Sequence, residues 1–283
     1  MVQAAAKTWE EAVRWLCAQP GQDELVRAAY YDNPIDAACE RYWQSREWAA
    51  VRKLIGLGPG AALDTGAGRG IASYALARDG FQVTALEPDP SDFVGSGAIR
   101  DIAMRKHLPI TVVGEISDPL PFADASFDVI FARAVLHHIP DLKQAMREFF
   151  RILKPGGTLL AIREHVISRD TDLPAFLDLH PLHHLYGGEM AYRLPIYQQA
   201  ITQAGLQLQQ VIGPLENAVN YAPLSNTDVA ASIAHQLTRG VPVAKHAAHA
   251  ALLTPGIGAA LKKLAARFDH RPGRHYSFLA VKI

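Results

Sequence analysis

Asp64, Gly66, Gly68 and Gly70 alternate with other residues between a short apolar run and a helical pattern, and Glu87 follows 23 positions after Asp64. Glycine lacks a Cβ, so backbone can approach a ligand closely and adopt positive φ. The helix beginning near Ile71 adds unpaired N–H groups at its N-terminus. In open α/β sheets this strand–turn–helix junction is where nucleotide-like ligands bind. A tight turn with no ligand is the bland reading of the glycines alone, and the acids on either side count against it. A second set of reactive side chains is His137-His138, Glu164-His165 and His180-Pro181-Leu182-His183-His184. These are general bases or metal ligands by type. Asp178 and Glu189 lie near the last cluster, but its spacing matches no recognised ligand pattern and no cysteine is close. No metal is expected there, and a surface or substrate-facing loop is the reading.

The spacing of the loop selects the ligand. A dinucleotide fingerprint places its third glycine where this chain has Ile71. Asp64, at the tip of the first strand, would face the phosphates of a dinucleotide and repel them. Glu87 suits ribose hydroxyls and repels a 2′-phosphate. An adenosine ligand that carries an ammonium and a sulfonium, and no phosphate, reverses the sign at Asp64. S-adenosylmethionine is such a ligand.

These residues need a scaffold. The chain has 283 residues and 49% apolar composition, enough for one α/β domain with additions. Lys+Arg and Asp+Glu both total 28, so no global charge favours nucleic acid or an anionic membrane. Cys17 and Cys39 make no metal-like pair, and a reduced, cytoplasmic chain is the simplest expectation. No window approaches the ~20 apolar residues of a membrane span, and the N-terminal residues have no signal-peptide pattern. Residues 8–57 read as helical and contain all four tryptophans. Strands are expected at Ala61–Asp64, Phe81–Glu87, Ile110–Gly114, Phe127–Phe131, Gly157–Ile162, Leu206–Ile212 and His275–Ile283. Helices are expected at Gly70–Arg78, Ser91–Lys106 (capped by Ser91) and Asp141–Leu153. This alternation predicts a parallel sheet with helices on both faces. Residues 165–195 and 226–270 interrupt it as insertions.

With those elements in place, the chain resembles the class I S-adenosylmethionine-dependent methyltransferases. The family's first motif, acid-x-Gly-x-Gly-x-Gly, is matched by Asp64, Gly66, Gly68 and Gly70, and its second-strand acid by Glu87. Gly114-Glu115-Ile116, Leu120-Pro121-Phe122, Phe127-Asp128-Val129-Ile130, Val135-Leu136-His137-His138-Ile139 and Leu153-Lys154-Pro155-Gly156-Gly157 resemble its later motifs. The resemblance is close over about residues 57–162. It implies a Rossmann-like, mostly parallel seven-stranded sheet with an antiparallel C-terminal strand. It also implies a helical cap at residues 1–57 and a cofactor-binding domain at 58–283. By position, Asp64 would lie near the methionine amino group, and Gly66, Ala67 and Gly68 would line the cofactor. Glu87, with Pro88 beside it, would hold the ribose, and Glu115 and Ile116 would flank the adenine. An aspartate is usual where Glu115 stands. Ala132 and Arg133 would approach the cofactor after the fourth strand, and Tyr31 would cover the methyl group.

Methyl transfer to oxygen wants a positioned base, for which histidine is the usual choice. His165 is the first candidate and His137 the second; a packing turn and an exposed loop are the competing readings of these residues. The expected acceptor is a small molecule carrying a hydroxyl, with neither nucleic acid nor membrane as partner. Tyr186-Gly187-Gly188-Glu189 reads as a lid or a plain turn. The helices of 226–267 either cap the acceptor pocket or form a homodimer contact. An NAD-dependent oxidoreductase and a non-catalytic binding protein of the same fold are the alternatives, disfavoured by Ile71, Asp64 and the near-complete motif.

Overall fold

The computed structural model describes residues 7–180, 182–239 and 241–283. Met1–Ala6, Pro181 and Gly240 therefore lie outside the described residues. The chain opens with helices α1 (Trp9–Cys17), α2 (Asp23–Ala28), α3 (Ile35–Trp43) and α4 (Arg46–Ile55). Then come β1 (Ala61–Thr65), α5 (Ile71–Arg78), β2 (Gln82–Leu86), α6 (Ser96–Lys106), β3 (Ile110–Val113), β4 (Phe127–Arg133), α7 (Leu142–Ile152) and β5 (Leu153–Ile167). The second half holds α8 (Leu173–Leu179), α9 (His183–Tyr186), β6 (Tyr192–Arg193), α10 (Leu194–Gln203), β7 (Leu206–Ile212) and α11 (Ala218–Tyr221). It closes with α12 (Asn226–Thr238), α13 (Pro242–Leu253), α14 (Ile257–Arg267) and β8 (Arg274–Lys282).

The sheet runs β3-β2-β1-β4-β5-β8-β7, with the two-residue β6 added beside the end of β5. β1 through β5 pair in parallel, and β8 is antiparallel to both β5 and β7. The parallel order puts the C-terminal ends of β1, β2, β4 and β5 on one edge, where ligands collect in such sheets. The expected parallel sheet and antiparallel final strand are both present.

Both faces of the sheet are covered. On one, Trp48 and Tyr42 are fully buried with Ala75, Leu76 and Phe131. On the other, Leu142, Met146, Phe149 and Ile152 of α7 pack on Ile130, Leu159 and Phe278. A 3.6-residue apolar period produces the α7 stripe, and Asp141 caps the helix by accepting from the Gln144 N–H at 2.9 Å. The sequence pattern also counts Phe150 to this apolar face, but it is only half-buried. The N-terminal aromatics are anchored chemically as well as by packing. Asp79 accepts from Trp43 Nε1 and Trp48 Nε1, each at 2.7 Å, and pairs with Arg52.

Two expected boundaries differ. Ser91 starts no helix. Its Oγ accepts from the Phe93 and Val94 N–H groups at 2.9 and 3.1 Å, closing a separate turn. Gly95 is extended, and α6 begins only at Ser96. β5 also runs past Ile162, because β8 pairs with Glu164, His165 and Val166 beyond a register shift. Arg163 takes φ +60 at that shift. Residues from His165 that read as an insertion are thus the end of a strand.

Candidate active site

A cavity of about 720 Å³ opens at the C-terminal edge of the sheet, within the ~300–1,000 Å³ range of small-molecule sites. One side is the glycine loop between β1 and α5. Gly66, Gly68 and Gly70 have φ +60, +54 and +84, which side chains with a Cβ rarely adopt. A Cβ on Gly66 would stand 2.7 Å from Val135 Cγ2, whereas one on Gly68 would meet only the Val94 carbonyl oxygen at 3.9 Å. The loop therefore packs at Gly66 and stays open at Gly68.

Two acids flank this loop. Asp64 is 2% exposed and accepts from Ser73 Oγ at 2.6 Å. Burial pushes its carboxyl up to about 7, against the pull of Ser73. Glu87 accepts from the Gly68 N–H at 2.6 Å and the Asp89 N–H at 2.9 Å. Burial raises its pKa too, and those two donors oppose the shift. A buried acid whose hydrogen-bond donors are neutral is a site for a positive charge.

Tyr31, Asp64, Gly66, Ala67, Gly68, Glu87, Pro88, Ile116 and Arg133 all line the cavity. Glu115 and Ala132 do not: Glu115 is exposed, and Ala132 is fully buried in the sheet core. The side chains of a strand alternate between the two faces of the sheet, so Ala132 packs into one face and Phe131 into the other, and neither reaches the cavity. Arg133 reaches the wall, but its charge is already engaged. Its Nε donates to Glu47 at 2.6 Å, and its guanidinium stacks on Tyr30 and Tyr42. Ala134 and Val135, which sequence reasoning passed over, line the same wall. So does Arg69, whose Nη1 donates to the carbonyls of Tyr30 and Asp32, each at 3.2 Å, tying the loop to the N-terminal segment.

The opposite side of the cavity gathers the histidines. His137 and Glu164 meet at 2.8 Å, Nδ1 to Oε2. Glu164 also accepts from the Val135 and His137 N–H groups, each at 3.1 Å. Burial pushes Glu164 up to about 7, and these donors pull it back. His165 Nδ1 lies 2.9 Å from the Gly273 carbonyl oxygen. A carbonyl only accepts, so that nitrogen carries the hydrogen and Nε2 carries the lone pair. Burial lowers His137 to about 3 and His165 to about 4, so both rings are neutral near pH 7. Their centroids are 4.6 Å apart.

Glu189 and His180 complete this wall. Gly187, at φ +78, ends α9 and turns the chain so that Glu189 enters the cavity. Tyr186 Oη donates to Glu189 Oε1. Burial raises Glu189, but His138, the Tyr186 hydroxyl, His180 and His137 outweigh it and leave the carboxyl below its ordinary range. His183 and His184 do not line the cavity. Trp9 packs edge-on against both Tyr31 and Tyr186, so α1 covers this side of the cavity.

The family profile described as "Methyltransferase domain" matches residues 63–161. Methyltransferase GfsG of Streptomyces halstedii is 30% identical over 202 residues, covering 67% of this chain and 71% of that protein. The chain belongs to the S-adenosylmethionine-dependent methyltransferases. A demethylmenaquinone methyltransferase of Thermobifida fusca is 33% identical over 156 residues, covering 55% of this chain and 60% of the relative. The chain spans about half the length of several curated relatives that it matches. A solved geranyl diphosphate methyltransferase, in complex with the cofactor, has a TM-score of 0.55 at 15% identity, covering 98% of this chain and 96% of that one. That likeness concerns the fold. The cofactor of this family is S-adenosylmethionine, a cation without phosphate, and a cavity with two buried acids beside an open glycine loop fits such a group.

Proposed function

We propose that this chain transfers a methyl group from S-adenosylmethionine to a hydroxyl oxygen of a small-molecule acceptor. The observation that carries this reading is one continuous cavity with the Asp64–Glu87 glycine loop on one side and the neutral His137–Glu164 and His165 rings on the other. Bound in the loop, the cofactor supplies an electrophilic methyl group on a sulfonium.

Asp64 balances the ammonium, Glu87 accepts from ribose hydroxyls, and the backbone of Gly66, Ala67 and Gly68 allows close approach. Pro88 and Ile116 flank the base. Tyr31 covers the reacting centre under the roof of Trp9. Arg133 shapes the wall through its pairing with Glu47. The imidazole lone pairs are the groups placed to take the acceptor's proton, with Glu164 fixing His137 and Gly273 fixing His165. The work of the fold is then positioning and exclusion of water.

The acceptor is a small molecule because the acceptor wall lies inside a roofed cavity, and the balanced charge gives no footprint for nucleic acid. No helix among the described residues is long and apolar enough to cross a membrane. Cys17 and Cys39 are free thiols, in keeping with a cytoplasmic location. A screen of hydroxylated acceptors with methyl-labelled cofactor tests the reading. Label on a product oxygen supports it; label on carbon or nitrogen, or none with every class of acceptor, overturns the oxygen assignment.

A further inference from the structure

Three segments distant in sequence aim donor atoms at one point on the acceptor wall. His137 comes from the turn after β4, His165 from the end of β5, and Glu189 from the turn after α9. Their ligand atoms all lie within 4.8 Å of one another. His137 Nε2 stands 3.7 Å from Glu189 Oε2, beyond a hydrogen bond.

Each donor is held from behind. Glu164 sits on His137 Nδ1, the Gly273 carbonyl on His165 Nδ1, and the Tyr186 hydroxyl on Glu189 Oε1. Outer partners of this kind fix the tautomer and direction of ligands in metal sites. In addition, Glu189 is 4% exposed and its Oε2 has no hydrogen-bond partner among the described residues. An unpaired buried carboxylate oxygen is costly, and a cation at that point removes the cost.

We infer that His137 Nε2, His165 Nε2 and Glu189 Oε2 bind one divalent transition-metal ion, zinc by their chemistry, with an open position facing the cavity. Two imidazoles and one carboxylate are a donor set that catalytic zinc accepts while keeping a fourth position for water or substrate. Bonds near 2.0–2.1 Å put tetrahedral donors about 3.4 Å apart, so the His137–Glu189 pair needs to close by only a few tenths of an ångström. His180 Nε2, 3.5 Å from Glu189 Oε1, stands on the other side of the carboxylate.

The role of the ion rests on the proposed methyl transfer. There it replaces a free imidazole: the acceptor hydroxyl takes the open position, its acidity is raised by the metal, its proton leaves to solvent at the cavity mouth, and the oxygen forms its bond to the methyl carbon as the C–S bond breaks and neutral S-adenosylhomocysteine departs. The site itself is tested without turnover. Full-length protein is stripped with a chelator and titrated with Co²⁺. The expected result is one saturable equivalent with the visible absorption of a tetrahedral ion, erased by one equivalent of Zn²⁺. His165→Gln and Glu189→Gln should each weaken binding at least tenfold, and Glu164→Gln, which touches only the outer partner, about 10–100-fold.

Absence of saturable Co²⁺ binding to the unsubstituted protein overturns the proposal, whatever the variants do. So does binding left unchanged in folded His165→Gln and Glu189→Gln. Calorimetry with S-adenosylmethionine on the same stripped protein separates the two readings. Cofactor binding without metal binding sinks the ion alone; metal binding without cofactor binding sinks the methyl-transfer reading and leaves the ion.

Discussion

His137 Nδ1 lies 2.8 Å from Glu164 Oε2, with the two side chains 1% and 0% exposed. Both side chains are buried, so this contact fixes the direction of the His137 ring. Glu164 also holds the backbone of the turn that carries His137, through the N–H groups of Val135 and His137. Glu164→Gln keeps the size but breaks the charge assistance. Turnover should fall by about 10²-fold or more, the range of a positioned proton acceptor. Affinity for S-adenosylmethionine should change less than twofold. A parallel loss of cofactor affinity would show that Glu164 acts through the fold.

Asp64 gives the cofactor side a pH signature. Its carboxyl is raised from 3.8 to about 7 by burial. The folded protein therefore holds this proton more tightly than the unfolded chain between those values. Its stabilising contribution is fully present below about 4 and is lost as pH rises through 7. Two outcomes follow. S-adenosylmethionine affinity should drop about tenfold per unit as pH falls below 7, because the cation loses its counter-charge. Asp64→Asn should flatten that profile and raise Tm at pH 8. Calorimetry from pH 5.5 to 8.5, with thermal melts of both proteins, reads both; an equally steep profile in Asp64→Asn would assign the pH dependence elsewhere.

The glycine loop separates packing from ligand access. At Gly66 a methyl group meets Val135 at 2.7 and 2.9 Å, but at Gly68 it meets only open space and the Val94 carbonyl. Gly66→Ala should lose both stability and cofactor affinity. Gly68→Ala should cost about 1–2 kcal/mol from its positive φ alone and still weaken cofactor binding more than tenfold, because the added methyl enters the cradle. Equal cofactor affinity in Gly68→Ala and the unsubstituted protein would remove that loop from the site.

Much of the cofactor side was legible in the chain, because its logic is local. The Asp64–Gly70 turn, the five parallel strands and Glu87 follow from short-range period and turn chemistry. The acceptor side was less legible because it is assembled at long range. His137 and His165 stood out as chemically capable residues. Glu189, in contrast, reads as a neighbour of the His180–His184 cluster until the turn after α9 carries it to His137 and His165. Arg133 lines the cavity as its position suggests, but its partner is set at long range. A buried acid on α4 takes its charge, and nothing near Arg133 in sequence announces Glu47. Ser91 had the right chemistry for a helix cap and spends it on a turn, since Gly95 then extends the backbone.

Glu47 is therefore a structural acid. It is 2% exposed and pairs with Arg133 at 2.6 Å and Arg163 at 3.2 Å. Removing one member of a buried ion group leaves uncompensated charge and costs about 3–5 kcal/mol. Glu47→Ala should lower stability by that order in chemical denaturation, and the freed Arg133 guanidinium, which lines the cavity, should weaken binding of the cationic cofactor as well. A variant as stable as the parent would contradict the buried network.

The claim on which the rest depends is the identity of the ligand at the Asp64–Glu87 loop. Isothermal titration of the full chain with S-adenosylmethionine, beside a matched titration with NAD, tests it most directly. The account predicts one saturable equivalent of S-adenosylmethionine, loss of that binding in Glu87→Ala, and no heat with NAD. Saturable NAD binding without S-adenosylmethionine binding would contradict it.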